Sequence, residues 1–132
     1  MIQYMLDTNT VSDLIKGHQV VSRRVAAVPM ASLRISSITA GELRYGLAKR
    51  PQATKLHRVV REFLLRVDVV PWDGATATQY GSMRASLEQR GRVLSPLDLL
   101  IAAHARAMEA VLVSNDRAFR QVPDLCVENW TV

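Results

Sequence analysis

The sequence has little of what marks secreted or membrane proteins. Its single cysteine, Cys126, excludes an internal disulfide, and nothing in the pattern resembles a zinc site. No apolar run approaches the roughly 18 residues that crossing a bilayer requires, and the first residues lead into a strand pattern rather than a signal peptide. A cytoplasmic protein with no membrane partner is therefore expected. Cys126 is expected to pack as a small hydrophobe.

The chain also lacks linkers and repeats. No Gly/Ser/Pro-rich stretch, low-complexity tract or solenoid-like period interrupts its 132 residues, of which 48% are apolar and 22% charged. A chain of this length supports one sizeable core but not two convincing ones. Residues 1–132 are therefore predicted to form a single globular domain.

Acidic residues are scarce in one part of the chain. The net charge is +5, and the stretch from Lys16 to Arg66 contains eleven Lys and Arg residues against two acids, Glu42 and Glu62. An uneven basic surface of this kind suits a polyanionic partner. A solvated basic face with no partner explains the charge equally well.

The most informative stretch opens the chain. Residues 2–6 form a short apolar run that ends abruptly at Asp7, which predicts a strand buried on both faces of a parallel sheet. Asp7 is then delivered to the carboxyl edge, where open α/β sheets bind ligands. A turn or helix-capping carboxylate is the alternative interpretation. Thr10 and Asp13 have capping-box spacing, which predicts that the first helix starts there and gives Asp13 a structural role.

A second acid follows the next predicted strand. Residues 33–37 alternate with period two, and Thr39 and Glu42 then have the spacing of a capping box. This pattern predicts a helix whose first turn holds Glu42. A capping role is enough to explain Glu42, but a residue in that turn also faces the crevice at the carboxyl edge. Both interpretations can hold together.

The third acid lies in the first turn of a predicted helix whose start is clearly marked in the sequence. Ser95 fits the N-cap, Pro96 the first helical position and Asp98 the third. The helix is apolar almost all round, so it is predicted to be buried and to hold Asp98 in a partly enclosed place. His104 points to another side of this helix and is predicted to be a packed or surface residue rather than a metal ligand.

The fourth acid follows another short apolar run. Residues 110–114 predict a buried strand, and Asp116 comes shortly after its end. Asp116 is therefore also expected at the carboxyl edge of the sheet. A cap for the helical turn that follows is nearly as good an explanation.

Strands alternate with helices along the whole chain, which predicts an α/β fold. We expect three layers, with a mostly parallel central sheet of about five strands and helices on both faces. Four acids then share one edge: Asp7 and Asp116 at strand ends, Glu42 and Asp98 at helix starts. Because such acids repel one another, a hard divalent cation, Mg²⁺ or Mn²⁺, is the usual compensation. These metals activate water and stabilise leaving oxygens in phosphoryl chemistry.

Four motifs, in order, resemble those of a known family. They are Met5-Leu6-Asp7-Thr8-Asn9, Ser36-Ser37-Ile38-Thr39-Ala40-Gly41-Glu42-Leu43, Ser95-Pro96-Leu97-Asp98-Leu99-Leu100-Ile101-Ala102-Ala103-His104-Ala105 and Val113-Ser114-Asn115-Asp116-Arg117-Ala118-Phe119. Together they resemble PIN-domain proteins, more narrowly the VapC-type ribonuclease toxins of bacterial toxin–antitoxin pairs, over essentially the whole chain. The resemblance implies an acidic metal site with polar support, made by Asp7, Glu42, Asp98 and Asp116 with Thr8, Asn9 and Ser114.

The resemblance also implies an activity and partners. It implies a Mg²⁺-dependent endoribonuclease, with Mn²⁺ as a substitute, that cuts structured RNA such as transfer RNA in a single-stranded loop. The initiator transfer RNA is the first candidate to test. A homodimer and a complex with a cognate VapB-like antitoxin are implied as well. The basic stretch between Lys16 and Arg66 would grip RNA phosphates, and Arg84, Arg90 and Arg92 would extend the grip.

Two other classes of protein fit part of the pattern. A PIN-like module that binds RNA or a protein without cutting would keep the scaffold, although the intact acids argue against it. An acidic-pocket phosphatase or a signalling receiver domain would also carry acids at this edge. Asn9 stands where the phosphatase pattern requires a second aspartate, and no lysine follows a late strand as both of these would require.

Overall fold

The computed structural model describes all residues, 1–132, and contains one five-stranded sheet. The strands are β1 (Tyr4–Leu6), β2 (Leu33–Ser36), β3 (Asp68–Val70), β4 (Val111–Val113) and β5 (Val127–Glu128). Their order is β3-β2-β1-β4-β5, and every neighbouring pair is parallel. The predicted α/β fold with its sheet of five strands is confirmed, and the sheet is parallel throughout.

Six α-helices connect the strands. They are α1 (Thr8–Ile15), α2 (Gln19–Ala26), α3 (Ser37–Ala48), α4 (Thr54–Arg66), α5 (Gly74–Gln89) and α6 (Pro96–Ala107), with 3₁₀ turns at Met30–Ser32 and Arg117–Gln121. None of these helices combines the length and the apolarity that a membrane crossing would need.

The central strands are apolar on both faces because helices cover both faces. Met5 and Leu112 point into a core made with α5 and α6. The next residue of each strand, Leu6 and Val113, points into a second core made with α1, α3 and α4. Trp130 closes this second core at 2% exposure. The short apolar runs in the sequence are thus the strands of a sheet buried from both sides.

The strand order reverses between β1 and β4. The chain builds β1, β2 and β3 outward in one direction, then returns to the other side of β1 to add β4 and β5. A reversal of this kind leaves a crevice at the carboxyl ends of the two strands. Leu6 pairs with Val113 in register, and the Asp7 N–H donates to the Val113 carbonyl at 3.1 Å. Asp7 and Ser114, which follow the last residues of these two adjacent strands, therefore lie side by side at the carboxyl edge of the sheet.

The first helix starts earlier than its sequence pattern predicted. Asp7 is itself the N-cap of α1, because its Oδ1 accepts a hydrogen bond from the Thr10 N–H at 2.8 Å. The capping role predicted for Asp13 is wrong, because Asp13 lies inside α1. The carboxylate that ends the first strand also starts the first helix, so the capping interpretation of Asp7 and its place at the edge both hold.

The helix that carries Glu42 also starts earlier than predicted. Ser36 is the N-cap of α3, and its Oγ accepts a hydrogen bond from the Ile38 N–H at 3.1 Å. Glu42 consequently lies in the second turn rather than the first, and the capping box predicted with Thr39 is wrong.

Cys126 is exposed rather than packed, contrary to the prediction. The reason is its position: it precedes β5, an edge strand, and residues 124–126 are outside any helix or strand.

Substitutions of two leucines test which residues form the stabilising core of this fold. Leu112 is completely buried at the centre of the sheet, whereas Leu65 is 86% exposed on α4. We expect Leu112→Ala to lower the free energy of unfolding by about 2–5 kcal/mol, because it removes buried contacts and leaves a cavity. Leu65→Ala should change it by less than about 0.5 kcal/mol. Urea denaturation measures both, and equal losses would contradict the assignment of the core.

Candidate active site

Asp7 stands at the centre of the crevice between β1 and β4. It is only 4% exposed, although it is a carboxylate. Burial raises the pKa of Asp7 above its ordinary value, and the neighbouring Asp98 carboxylate raises it further. Hydrogen bonds from Ser114 and Thr10 oppose the rise without cancelling it. Asp7 thus carries a charge that its surroundings do not fully accommodate.

Asp98 reaches the same crevice from the start of α6. Ser95 is the N-cap of this helix, and its Oγ accepts a hydrogen bond from the Asp98 N–H at 3.3 Å. Pro96 occupies the first helical position, as the sequence predicted. The half-buried Asp98 carboxylate lies close enough to Asp7 to raise its pKa. The structure therefore brings these two predicted site residues together.

Glu42 joins the site through a hydroxyl group. The Thr8 side chain donates a hydrogen bond to Glu42 Oε1 at 2.7 Å, linking the first turn of α1 to the second turn of α3. The Thr8 and Thr39 hydroxyl oxygens lie 3.3 Å apart, and Thr39 is completely buried. Thr8 follows Asp7 directly in the chain. Glu42 is thus hydrogen-bonded to the residue that directly follows the central carboxylate.

Asp116 also joins the site through a hydroxyl group. Its N–H donates to Ser114 Oγ at 3.0 Å, and the Ser114 side chain hydrogen-bonds to Asp7. The Asp116 carboxylate accepts from the Ala118 N–H at 2.9 Å and caps the 3₁₀ turn that follows. The capping alternative for Asp116 is therefore correct, and its carboxylate has a structural partner. Asn9 is exposed in the first turn of α1.

The four acids do not form one tight cluster. No three acidic, histidine or cysteine side chains lie close enough together to hold a metal ion by themselves. None of the four acids has a lysine or arginine in salt-bridge range either. Mg²⁺ is typically bound by one or two carboxylates, with water and substrate phosphates completing its shell. The uncompensated pair Asp7 and Asp98 fits that requirement.

A groove leads away from Glu42 between α1, α3 and α4. Its volume is about 200 Å³, and Thr8 at the start of α1 and Glu42 in the second turn of α3 lie at one end of it. Apolar and cationic side chains line the rest of it: Ile15, Leu43, Leu47, Leu56, Val60, Lys16, Lys49 and Arg50. Lys49 lies seven residues after Glu42, about 10 Å along α3. The sequence showed only a broad basic stretch, whereas the structure shows that three of its cations line the groove that contains Glu42.

Comparisons with known proteins agree with this geometry. The family described as PIN domain matches residues 4–125. A match over this much of the chain means that the protein belongs to the PIN-domain family, which confirms the resemblance carried by the four motifs.

The similarity extends to individual VapC proteins over almost their whole length. The tRNA(fMet)-specific endonuclease VapC of Shigella flexneri is 36% identical, covering 99% of this chain and all of the relative. The crystal structure of DNA-bound VapBC from Salmonella typhimurium matches with a TM-score of 0.91 and 35% identity, covering 98% of this chain and 99% of that one. VapBC2 of Rickettsia felis bound to a promoter DNA fragment matches with a TM-score of 0.89, 35% identity and the same coverage.

The raised pKa of Asp7 predicts a gain in stability on removal of its charge. We expect Asp7→Asn to melt at a higher temperature than the wild type at pH 7 in the presence of a chelator. Asparagine is as good an N-cap as aspartate, so α1 keeps its first turn. The ionised Asp7 carboxylate is unfavourable in the folded protein, because folding raises its pKa above 3.8.

The pH dependence of this gain has a definite sign. As the pH falls through the raised pKa of Asp7, the folded wild type takes up the proton and loses the penalty, so the two melting temperatures should converge in acid. Thermal unfolding at a series of pH values measures this. A lower melting temperature for Asp7→Asn at every pH would contradict the prediction.

Proposed function

We propose that this protein is a divalent-cation-dependent endoribonuclease and the toxin of a toxin–antitoxin pair. The observation that carries the proposal is the pair of neighbouring carboxylates at the reversal of the strand order, the buried Asp7 and the half-buried Asp98, neither of which has a cationic partner. The relatives support it, since the Shigella flexneri protein is named an endonuclease and the Rickettsia felis relative, 35% identical, is named a ribonuclease.

The site residues have two separate roles in the proposed hydrolysis, binding the cation and orienting the carboxylates. Asp7 and Asp98 would hold Mg²⁺ or Mn²⁺, with Glu42 and Asp116 beside them. When bound, the cation supplies activation of water and polarisation of a phosphoryl oxygen. Ser114 and the Thr10 N–H orient the Asp7 carboxylate, and Thr8 orients Glu42. We assign Asn9 an orienting role at the exposed side of the crevice.

Attack by water is preferred to attack by the 2′-hydroxyl of the RNA itself. The latter route needs a pair of groups that exchange protons near neutral pH, usually histidines. The three histidines are committed elsewhere: His18 caps α2, His57 contacts the Arg50 carbonyl and His104 is buried against Ser36. Hydrolysis by water leaves a 5′-phosphate and a 3′-hydroxyl.

The substrate proposed is a structured RNA cut in a single-stranded loop. Lys16, Lys49 and Arg50 would hold phosphates along the groove that ends at Glu42. Contacts with phosphates carry little sequence information, so the shape of the RNA must select the target. Transfer RNA is the first class to test. The name of the Shigella flexneri relative makes the initiator transfer RNA the first member.

A VapB-like antitoxin is the partner proposed to silence this activity. The solved structures similar to this chain include VapBC complexes from Salmonella typhimurium and Rickettsia felis. The same groove offers an apolar floor, and further depressions continue it along α4 past Ile15 and Val59. A segment lying there would cover Glu42. A homodimer, and a larger assembly with the antitoxin, remain part of the proposal, and light scattering of the purified protein tests them.

The central test is cleavage of total cellular RNA with Mg²⁺ or Mn²⁺, with and without a chelator. We expect Asp7→Asn and Asp98→Asn to lower cleavage at least about 100-fold, because each removes a carboxylate from the cation site at nearly constant shape. Asp13→Asn is the matched control, since Asp13 makes no side-chain hydrogen bond or salt bridge and should retain activity. Equal loss in Asp13→Asn would refute the assignment.

The ends of the products test the mechanism separately. Mapping should find 5′-phosphates and 3′-hydroxyls in loops of structured RNA. Products with 2′,3′-cyclic phosphates, or cutting that a chelator does not affect, would refute hydrolysis through a metal ion. Tight RNA binding without any cleavage would favour the alternative of a PIN-like binding module.

The antitoxin proposal has its own variant. Ile15 lies at the end of α1, is half-buried and lines the groove. We expect Ile15→Glu to weaken binding of the antitoxin by about tenfold or more, because a charge would have to be buried against an apolar partner. Because the new carboxylate stands next to Lys16 in the groove proposed to hold RNA phosphates, cleavage of RNA without the antitoxin is measured alongside and should fall less than the antitoxin affinity. Calorimetric titration measures the affinity, and an unchanged affinity would place the antitoxin elsewhere.

A further inference from the structure

A buried histidine outside the acidic crevice joins two of the helices that carry its acids. His104 lies on α6 and is 1% exposed, and its Nδ1 is 2.7 Å from the Oγ of Ser36. Ser36 is completely buried, ends β2 and caps α3. One hydrogen bond therefore connects the helix of Asp98 to the start of the helix of Glu42.

A tryptophan completes a closed ring of contacts between the same helices. The Trp72 N–H donates to Ser37 Oγ at 3.1 Å, and its indole Nε1–H donates to the Leu100 carbonyl at 3.0 Å. Leu100 lies one turn before His104 on α6, and Ser37 follows Ser36 directly. We call this ring, made of Ser36, Ser37, Trp72, Leu100 and His104, the α3–α6 clasp.

The hydrogen bond between His104 and Ser36 suits a neutral imidazole. Burial lowers the pKa of His104, which favours the uncharged ring. A neutral imidazole has one donor and one acceptor nitrogen, and a hydroxyl can donate or accept, so the bond between Nδ1 and Ser36 Oγ forms with either tautomer. The same oxygen accepts from the Ile38 N–H at 3.1 Å. No buried polar side-chain atom lacks a partner.

The hydrogen bond between His104 and Ser36 lies at a similar distance along the helices from both acids. Asp98 is six residues before His104 on α6, and Glu42 is six residues after Ser36 along α3. Six helical residues span about 9 Å, so neither acid touches this bond, while the Leu100 contact of the clasp lies two residues after Asp98. Because helices are rigid over this length, a contact that fixes the two helices also fixes the positions of their carboxylates. Metal sites tolerate displacements of only about 0.5 Å.

We propose that the α3–α6 clasp sets the position of Asp98 relative to Asp7 and Glu42, and that His104 is thereby a positioning residue for the divalent-cation site. The inference rests on the proposed function, since it assigns a role towards the same site. It also explains a feature that packing alone leaves open: a polar, titratable side chain occupies a helix that is otherwise lined with leucine, isoleucine and alanine at its buried positions.

Two substitutions of His104 separate the hydrogen bond from the packing. His104→Asn places a side-chain amide, which can donate or accept, near the position of Nδ1 and keeps a hydrogen-bond partner for Ser36, but it leaves a smaller side chain. His104→Leu keeps the volume and loses the hydrogen-bond partner. Ile101→Val is the matched control, because Ile101 is 1% exposed on the same helix and makes only apolar contacts.

The experiment is a titration of each folded variant with Mn²⁺, in which paramagnetic resonance counts the free ion. We expect His104→Leu to weaken Mn²⁺ binding about tenfold, the effect of removing an outer-shell partner of a metal site. His104→Asn should stay within about threefold of the wild type. Ile101→Val should bind Mn²⁺ normally despite a lower melting temperature. RNA affinity in the presence of a chelator should be the same in all four proteins.

The outcomes separate this inference from the proposed function. If the wild type binds Mn²⁺ and cuts RNA but His104→Leu binds Mn²⁺ equally well, the clasp has no positioning role and the proposed function stands. If His104→Asn is as weak as His104→Leu, packing rather than the Ser36 hydrogen bond is responsible, and the proposal fails. If the wild type binds no Mn²⁺, both fail.

A second variant covers the case in which His104→Leu does not fold. Trp72→Phe keeps a ring in place but removes the indole donor to Leu100, at a half-buried position. It should weaken Mn²⁺ binding by about three- to tenfold, the effect of one lost hydrogen bond. Normal Mn²⁺ binding in Trp72→Phe would overturn the clasp.

Discussion

A buried negative charge without a cationic partner is the constraint on which this site depends. Asp7 lies at the end of the central strand, where helices cover both faces of the sheet, and no lysine or arginine approaches it within salt-bridge range. Hydrogen bonds from Thr10 and Ser114 hold it in place but leave its pKa raised. The fold therefore tolerates an unfavourable buried charge at the carboxyl edge of its sheet, which is typical of a site kept for binding rather than for stability.

Hydroxyl groups connect the acids that the fold leaves apart. Thr8 holds Glu42, and Ser114 lies between Asp7 and Asp116. A hydroxyl donates one hydrogen bond and accepts others, so it can orient a carboxylate without neutralising it. A lysine in either place would hold the acid more tightly, but its charge would compete with a cation. The polar residues beside the acids thus keep the carboxylates oriented and negatively charged.

Local sequence patterns were sufficient to predict strands and helices, whereas contacts between distant residues determined the helix caps and the contacts around the site. The apolar run before Asp7 and the Ser95-Pro96 start of α6 predicted a strand and a helix that the structure contains. The capping box predicted for Asp13 was wrong, because Asp7 took that role once β1 had positioned it. The bond between His104 and Ser36 joins residues 68 positions apart, so no local pattern could indicate it. The cations that line the groove, Lys16, Lys49 and Arg50, could not be identified from the broad basic stretch alone, because the groove forms only when α1, α3 and α4 pack together.

The parallel topology has a consequence for when the site comes into existence. Asp7 is synthesised well before the strand beside it: the neighbouring Thr10 hydroxyl donates to the Val113 carbonyl, a partner 103 residues later. Because all neighbouring strands are parallel and the sheet contains no hairpin, each strand pairs with a segment that is distant in the sequence, and such pairings form slowly. A nascent chain on the ribosome therefore carries its central carboxylate without the neighbours that orient it until the segment from Asp98 to Ser114 has been synthesised. The site cannot assemble beside the translation machinery before that segment has left the ribosome.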